Sequence, residues 1–206
     1  IVFSGSKEGI ESLKIINNDK LTKIDSTCNT IINCSSNYYI KTVDVQLPLN
    51  YAGKISIDGM ASEIIINSED NKLNLEQIEV NALSSDITIT NITSNINLDG
   101  ADMTFTGNKV DGTLDIDGLN TTTHLYESIS PMKIDVDGMN ASLTIHDFNP
   151  KFGYTLDMDG LDSVFYDNIN GSQESSFGTL KRNHDGEDGN FEIRMNGLSQ
   201  SFTLEN

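Results

Sequence analysis

The 206-residue chain carries 31 acidic and 13 basic side chains, a net charge of −18, and 36% apolar residues with no Trp. That charge repels phosphate, so bulk electrostatics exclude nucleic acid and anionic lipid as partners and leave cations or basic proteins, or simple solubility, as its role. A run of about 18 apolar residues is nowhere present, which excludes a membrane-crossing helix in this segment, and recurrent alternation of Ile, Leu and Val argues against disorder.

The chain opens at Ile1-Val2-Phe3 with no initiator Met. This predicts an export signal or anchor upstream, and with it an extracellular or cell-envelope location. Residues 1–54 lack the motif that fills the rest of the chain, but LKII (13–16) and KTVDVQL (41–47) read as strands. They predict an N-terminal β cap over the edge of the first repeat. Cys28 and Cys34 fall in this region; an even count at short spacing predicts one disulfide in an exported protein, two buried free thiols being the alternative.

Residues 55–206 are built from seven gapless copies of one motif: ISIDGMASEIII, IEVNALSSDITI, INLDGADMTFTG, LDIDGLNTTTHL, IDVDGMNASLTI, LDMDGLDSVFYD and IRMNGLSQSFTL. With Gly59, Ala82, Gly100, Gly118, Gly138, Gly160 and Gly197 as corner position 0, successive spacings are 23, 18, 18, 20, 22 and 37 residues. Positions −4 and −2 are apolar in every copy, for example Leu114 and Ile116, or Ile134 and Val136. That alternation is a strand with one buried face. Position +1 (Met60, Leu83, Ala101, Leu119, Met139, Leu161, Leu198) is also apolar, so the buried face is expected to continue through a glycine corner, to resume at +5. Ile92 and Val110 supply a third inward side. The polar, Gly-rich stretch 168–190 reads as a loop inserted before the last copy.

The expected fold is all-β: a single-stranded right-handed parallel β-helix over residues 55–206, with Ile116, Val136 and Met158 stacked in one buried column. The rival is a meander of antiparallel hairpins turning at Asp-Gly.

The segment IEVNALSSDITI, and ISIDGMASEIII with the preceding VDVQLPLNYAGK, resemble the repeats and entry strand of the bacterial adhesin-type domains, a family of parallel β-solenoids of unknown function. The resemblance covers roughly residues 40–206, although glycine here sits in Asp-Gly, earlier than in the family's Ser-Gly-Asp turn. It implies a non-enzymatic, surface-exposed binding module with a protein or glycan ligand. The family brings no catalytic residues with it. A regulatory ectodomain of a membrane signalling protein is the alternative.

Neither a Gly-x-Ser-x-Gly elbow nor a phosphate-binding Gly-Lys-Ser/Thr loop is present. A polysaccharide-acting β-helix enzyme has acids to draw on, but Trp platforms are absent and Arg182 and Arg194 are the only arginines. His124 and His146 lie at +6 and +8 of neighbouring copies and His184 in the insertion, so scattered surface histidines are expected, a metal-binding pair of His124 and His146 being the alternative. The Asn-x-Ser/Thr sequons at Asn91, Asn120, Asn140 and Asn170 are chance matches in a chain this rich in Asn, Ser and Thr. Positions −1 and −3 stack Asp115, Asp117, Asp135, Asp137, Asp157 and Asp159 on the outside. Solvent and turn hydrogen bonds relieve such columns, or else a weakly held Ca²⁺ does. No other cofactor is expected.

Overall fold

The computed structural model describes residues 2–5, 7, 13–18, 21–26, 40–47, 50–68 and 71–206. Cys28 and Cys34, with the disulfide expected between them, lie outside the described residues. The chain divides into two compact units, Ile1–Leu49 and Asn50–Asn206. The first holds β1 (Val2–Gly5), β2 (Leu13–Asn18), β3 (Leu21–Ser26) and β4 (Ile40–Asp44), paired antiparallel as β1–β4 and β2–β3. Of the two runs read as strands from the sequence, LKII lies in β2, and KTVDVQL is strand over its first four residues, in β4.

The second unit is all-β. Its strands are β5 (Lys54–Asn67), β6 (Leu73–Thr90), β7 (Ile92–Asn108), β8 (Asp111–Tyr126), β9 (Lys133–Ile145), β10 (Gly153–Asp167), β11 (Ser172–His184) and β12 (Asn190–Leu204). They form one sheet in the order β11-β10-β12-β9-β8-β7-β6-β5. Every neighbouring pair is parallel except β10–β11. The copies align as the repeat dictates: Gly100 faces Gly118, Gly118 faces Gly138, Gly138 faces Gly197, and Gly197 faces Gly160. Antiparallel hairpins at the Asp-Gly corners are therefore excluded.

Two expectations are corrected. The last copy does not follow the sixth in space; β12 slides between β9 and β10. The buried column at −2 accordingly reads Ile116, Val136, Met195, Met158, with Met195 separating Val136 from Met158. The second correction is that stretch 168–190 is not a loop throughout. It contains β11, which pairs antiparallel with β10 at the sheet edge. Its sequence, SQESSFGTLKRNH, has no alternation of apolar and polar side chains; Phe177 is exposed and Leu180 is the one buried apolar residue of the strand. A strand with so little apolar surface gives almost no period-two signal to read.

Burial follows the repeat on both sides of the corner. Positions −4 and −2 point inward, and so does +5, from Ile64 and Ile87 through Phe105, Thr123 and Leu143 to Phe202 and Phe165. The rings of Phe165 and Phe202 stack with centroids 5.3 Å apart. Ile92 and Val110 are fully buried, as expected of a further inward side.

Why glycine holds the corner is also a correction. It is proximity to the neighbouring strand rather than left-handed backbone. A Cβ at Gly100 would lie 1.9 Å from the Ala82 carbonyl oxygen, and one at Gly138 would lie 2.6 Å from that of Gly118. Left-handed backbone appears nine residues later, at Asn91, Lys109, Glu127 and Asp147, with φ between 46° and 59°. There the chain turns from one strand into the next. Asn91 alone joins β6 to β7, and the Leu73 N–H at the start of β6 donates to the Asn91 carbonyl at 3.1 Å.

Candidate binding surface

At the corner the side chains fan outward. Position +1, expected inside, is exposed: Leu83 is 59% accessible, Leu119 52%, Met139 49%, Leu198 47% and Leu161 53%. The slip of phase falls after the corner, not across it, because the next inward residues are at +3, such as Met103, Thr121 and Ala141. In sheet order the +1 row reads Leu83, the half-buried Ala101, Leu119, Met139, Leu198, Leu161. Single exposed leucines are ordinary, but a contiguous row repeating at the strand spacing of about 4.8 Å is not.

Polar rows flank this ridge. On one side, position −1 reads Asp58, Asn81, Asp99, Asp117, Asp137, Asn196, Asp159. On the other, position +2 includes Ser84, Asp102, Asn120, Asn140, Ser199 and Asp162. Asparagine amides bridge both rows. Asn81 Nδ2 donates to Asp58 Oδ1 at 2.9 Å and Asn196 Nδ2 to Asp137 Oδ1 at 2.6 Å. Asn120 Nδ2 donates to Asp102 Oδ1 at 2.5 Å, and Asn140 Nδ2 to Asn120 Oδ1 at 2.7 Å. Such amides fix the polar rows without neutralising their charge. Shallow grooves run along both flanks, one of about 410 Å³ beside Asn81, Leu83, Asp99 and Leu119, the other of about 480 Å³ beside Ser84, Asp102, Met103 and Asn120.

The six aspartates read as a possible Ca²⁺ site are not brought into one cluster. Asp115 faces Asp135 and Asp117 faces Asp137 on adjoining strands. Asp157 and Asp159 are held apart from them by Arg194 and Asn196 of β12. Lys181 Nζ sits 2.7 Å from Asp157 Oδ2. Among the described residues no group of three or more His, Cys, Asp or Glu side chains is arranged to hold a metal ion. Where no cation intervenes the repulsion remains. Partial desolvation, then the carboxylates of Asp135, Asp137 and Asp117, raise the Asp115 carboxyl above its ordinary range, with Lys133 pulling the other way.

The histidines are less scattered than the sequence indicates. Strand register puts His124 opposite Thr144, two residues short of His146. Beyond the end of β9 the His146 side chain nevertheless reaches back, so that His124 Nδ1 and His146 Nε2 lie 3.0 Å apart. Tyr126 stacks flat on His146, with centroids 4.1 Å apart and planes 1° apart, and Glu205 Oε2 lies 3.6 Å from His146 Nδ1. His184 is elsewhere, beside Tyr154.

Comparison with known proteins finds no match: no family model, curated protein or solved structure is significantly similar to this chain.

Proposed function

We propose that the chain is a non-enzymatic binding module of a cell surface or envelope, engaging a protein ligand along the corner ridge of a single-stranded, right-handed parallel β-helix. The helical winding is supported by chain reach. An 18-residue strand laid straight spans roughly 60 Å. Yet the start of β6 hydrogen-bonds to Asn91, the residue just past its end, and Ile92 then pairs with Leu73. A strand whose ends meet must wind once round the core. Right-handedness is the usual sense of parallel crossovers.

The observation that carries the binding role is the ridge from Leu83 to Leu161, left uncovered between two polar rows. Apolar rows rimmed by charge suit a partner with an apolar stripe flanked by Lys or Arg. The resemblance of the repeats to adhesin-type domains points the same way, and the acidity of the chain favours basic ligands over phosphate or anionic lipid.

The test is attachment of labelled protein to intact cells, comparing wild type with a Leu119→Ser, Met139→Ser, Leu198→Ser triple variant. These side chains are about half exposed, so each substitution should change stability by only about 0.5 kcal/mol. Attachment is expected to fall at least tenfold while the melting temperature is nearly kept. Unchanged attachment removes the ridge as the binding surface, and clear turnover in a glycan-degradation screen defeats the non-enzymatic reading.

A further inference from the structure

We propose that β11 is a self-pairing edge: a second copy of this chain lays its own β11 antiparallel against it, and the two sheets become one across a two-fold axis at Gly178. β11 is the last strand of its sheet, and among the described residues no strand pairs with its outer edge. Such a row of open N–H and C=O groups is a template for another strand. Lys181, of the residue type that most often blunts an edge, is drawn across β10 to Asp157, with Nζ 2.7 Å from Oδ2, and the strand contains no Pro.

The strand's own symmetry names the occupant. Paired residues of antiparallel strands point to the same side of a sheet. Glu174, Ser176, Leu180 and Arg182 pair with Phe165, Ser163, Met158 and Leu156 of β10, all four of them buried. The inward residues of β11 therefore stand two and four places to either side of Gly178. In the repeats the inward positions are −4, −2, +3 and +5, which no two-fold axis at the corner superposes. The ion pair of Arg182 with Glu174 agrees with this bend: eight residues of straight strand span about 27 Å, so the two side chains meet only because the strand folds round Gly178 with both on the inside. Antiparallel pairing about Gly178 sets Glu174 opposite Arg182 of the second copy and Arg182 opposite its Glu174, so four charges alternate in sign round the join. Gln173 meets Asn183, and Ser176 meets Leu180. Phe177, 86% exposed, falls opposite Thr179 of the second copy and beside its Phe177. Overall charge permits the approach: with Glu174 against Lys181 and Arg182, β11 is the one strand of its sheet with a net positive charge, in a chain of net charge −18. Phe177 also stands opposite the Leu161–Asp162 bulge of β10, so the join carries the exposed ridge of one copy into that of the other. The self-pairing goes beyond the binding role proposed above and does not depend on it.

The experiment is sedimentation equilibrium of the whole chain, from micromolar to millimolar concentration, in wild type, Glu174→Arg and Arg182→Glu. Wild type should associate with rising concentration and stop at the dimer, because an isologous contact closes on itself. Each variant opposes like charges twice in its own dimer and should self-associate more weakly by about tenfold or more. Mixed one to one, the two variants regain both opposite-sign contacts between copies while the ion pair within each chain stays broken, so a mixed dimer of near wild-type affinity is expected. A wild-type chain that stays monomeric overturns the proposal. So does a dimer equally strong in both variants, which places the contact on another surface, and so does a mixture that associates no better than its components. Hydrogen exchange of the unsubstituted chain tests the same edge without relying on a variant's folding. Amides of β11 should gain protection as concentration rises while those of β5, at the other end of the sheet, do not; exchange in β11 that ignores concentration overturns the self-pairing.

Discussion

Asp115 shows what the acidic face costs at a single residue. Its folded-state pKa is raised, so the folded chain holds that proton more readily than the unfolded chain does. The carboxylate therefore subtracts stability as pH rises through its folded value, and subtracts nothing once pH is below the ordinary carboxylate range. Asp115→Asn should stabilise at pH 7 by about 0.5 kcal/mol, a figure already reduced for solvent screening. The gain should vanish below about pH 3, where Asp is protonated in either state. Urea unfolding at the two pH values checks both. At this scale the sequence was legible wherever hydrophobicity and burial coincide, as at Ile116, Val136, Phe105, Ile92 and Val110. It misled at Leu119 and its row, because an apolar side chain kept outside reads the same as one placed inside. The αL turns at Lys109 and Glu127 left no trace, since neither is a residue type that signals one. That His124 and His146 belong to neighbouring copies was legible, but the contact of their rings was not, since it depends on how far a side chain past a strand end reaches back.

Among the elements, β12 decides the order of the sheet. The copies are so alike that β10 pairs as plausibly with β9 as with β12, and no column of apolar residues tells the two arrangements apart. The outer rows do. Were β10 beside β9, Asp157 would neighbour Asp135, and Asp159 would neighbour Asp137. With β12 between them, Arg194 parts the first pair and Asn196 the second. Like charges at about 5 Å repel by about 1–3 kcal/mol between water and a partly screened surface. The double change Arg194→Asp, Asn196→Asp should therefore destabilise by about 2 kcal/mol at low ionic strength, and by visibly less in molar salt. A denaturation midpoint that does not move in low salt would mean that these rows have no part in placing β12. The sequence held this information at −1 and −3 of the last copy. It was hard to use because spacing along the chain, the usual guide to neighbours, points to β10.

For the C-terminal unit as a whole, stability runs along the stack, and each strand leans on the two beside it. A chain ending at residue 189 removes β12 and opens a gap between β9 and the β10–β11 hairpin. Amides of β6–β8 should stay protected from hydrogen exchange while those of β10 and β11 exchange freely. Retained protection across β10 would show that it has docked directly on β9. Translation creates the same truncated state in passing. The ribosome delivers β10 and β11 before β12, so for an interval the growing chain possesses β9's open edge and a strand of matching pattern, but not the piece that belongs there. Until residues 190–204 emerge, the nascent polypeptide must wait with that edge bare or form a pairing it later has to undo. A chaperone able to shield one sheet edge would have its greatest effect during that interval.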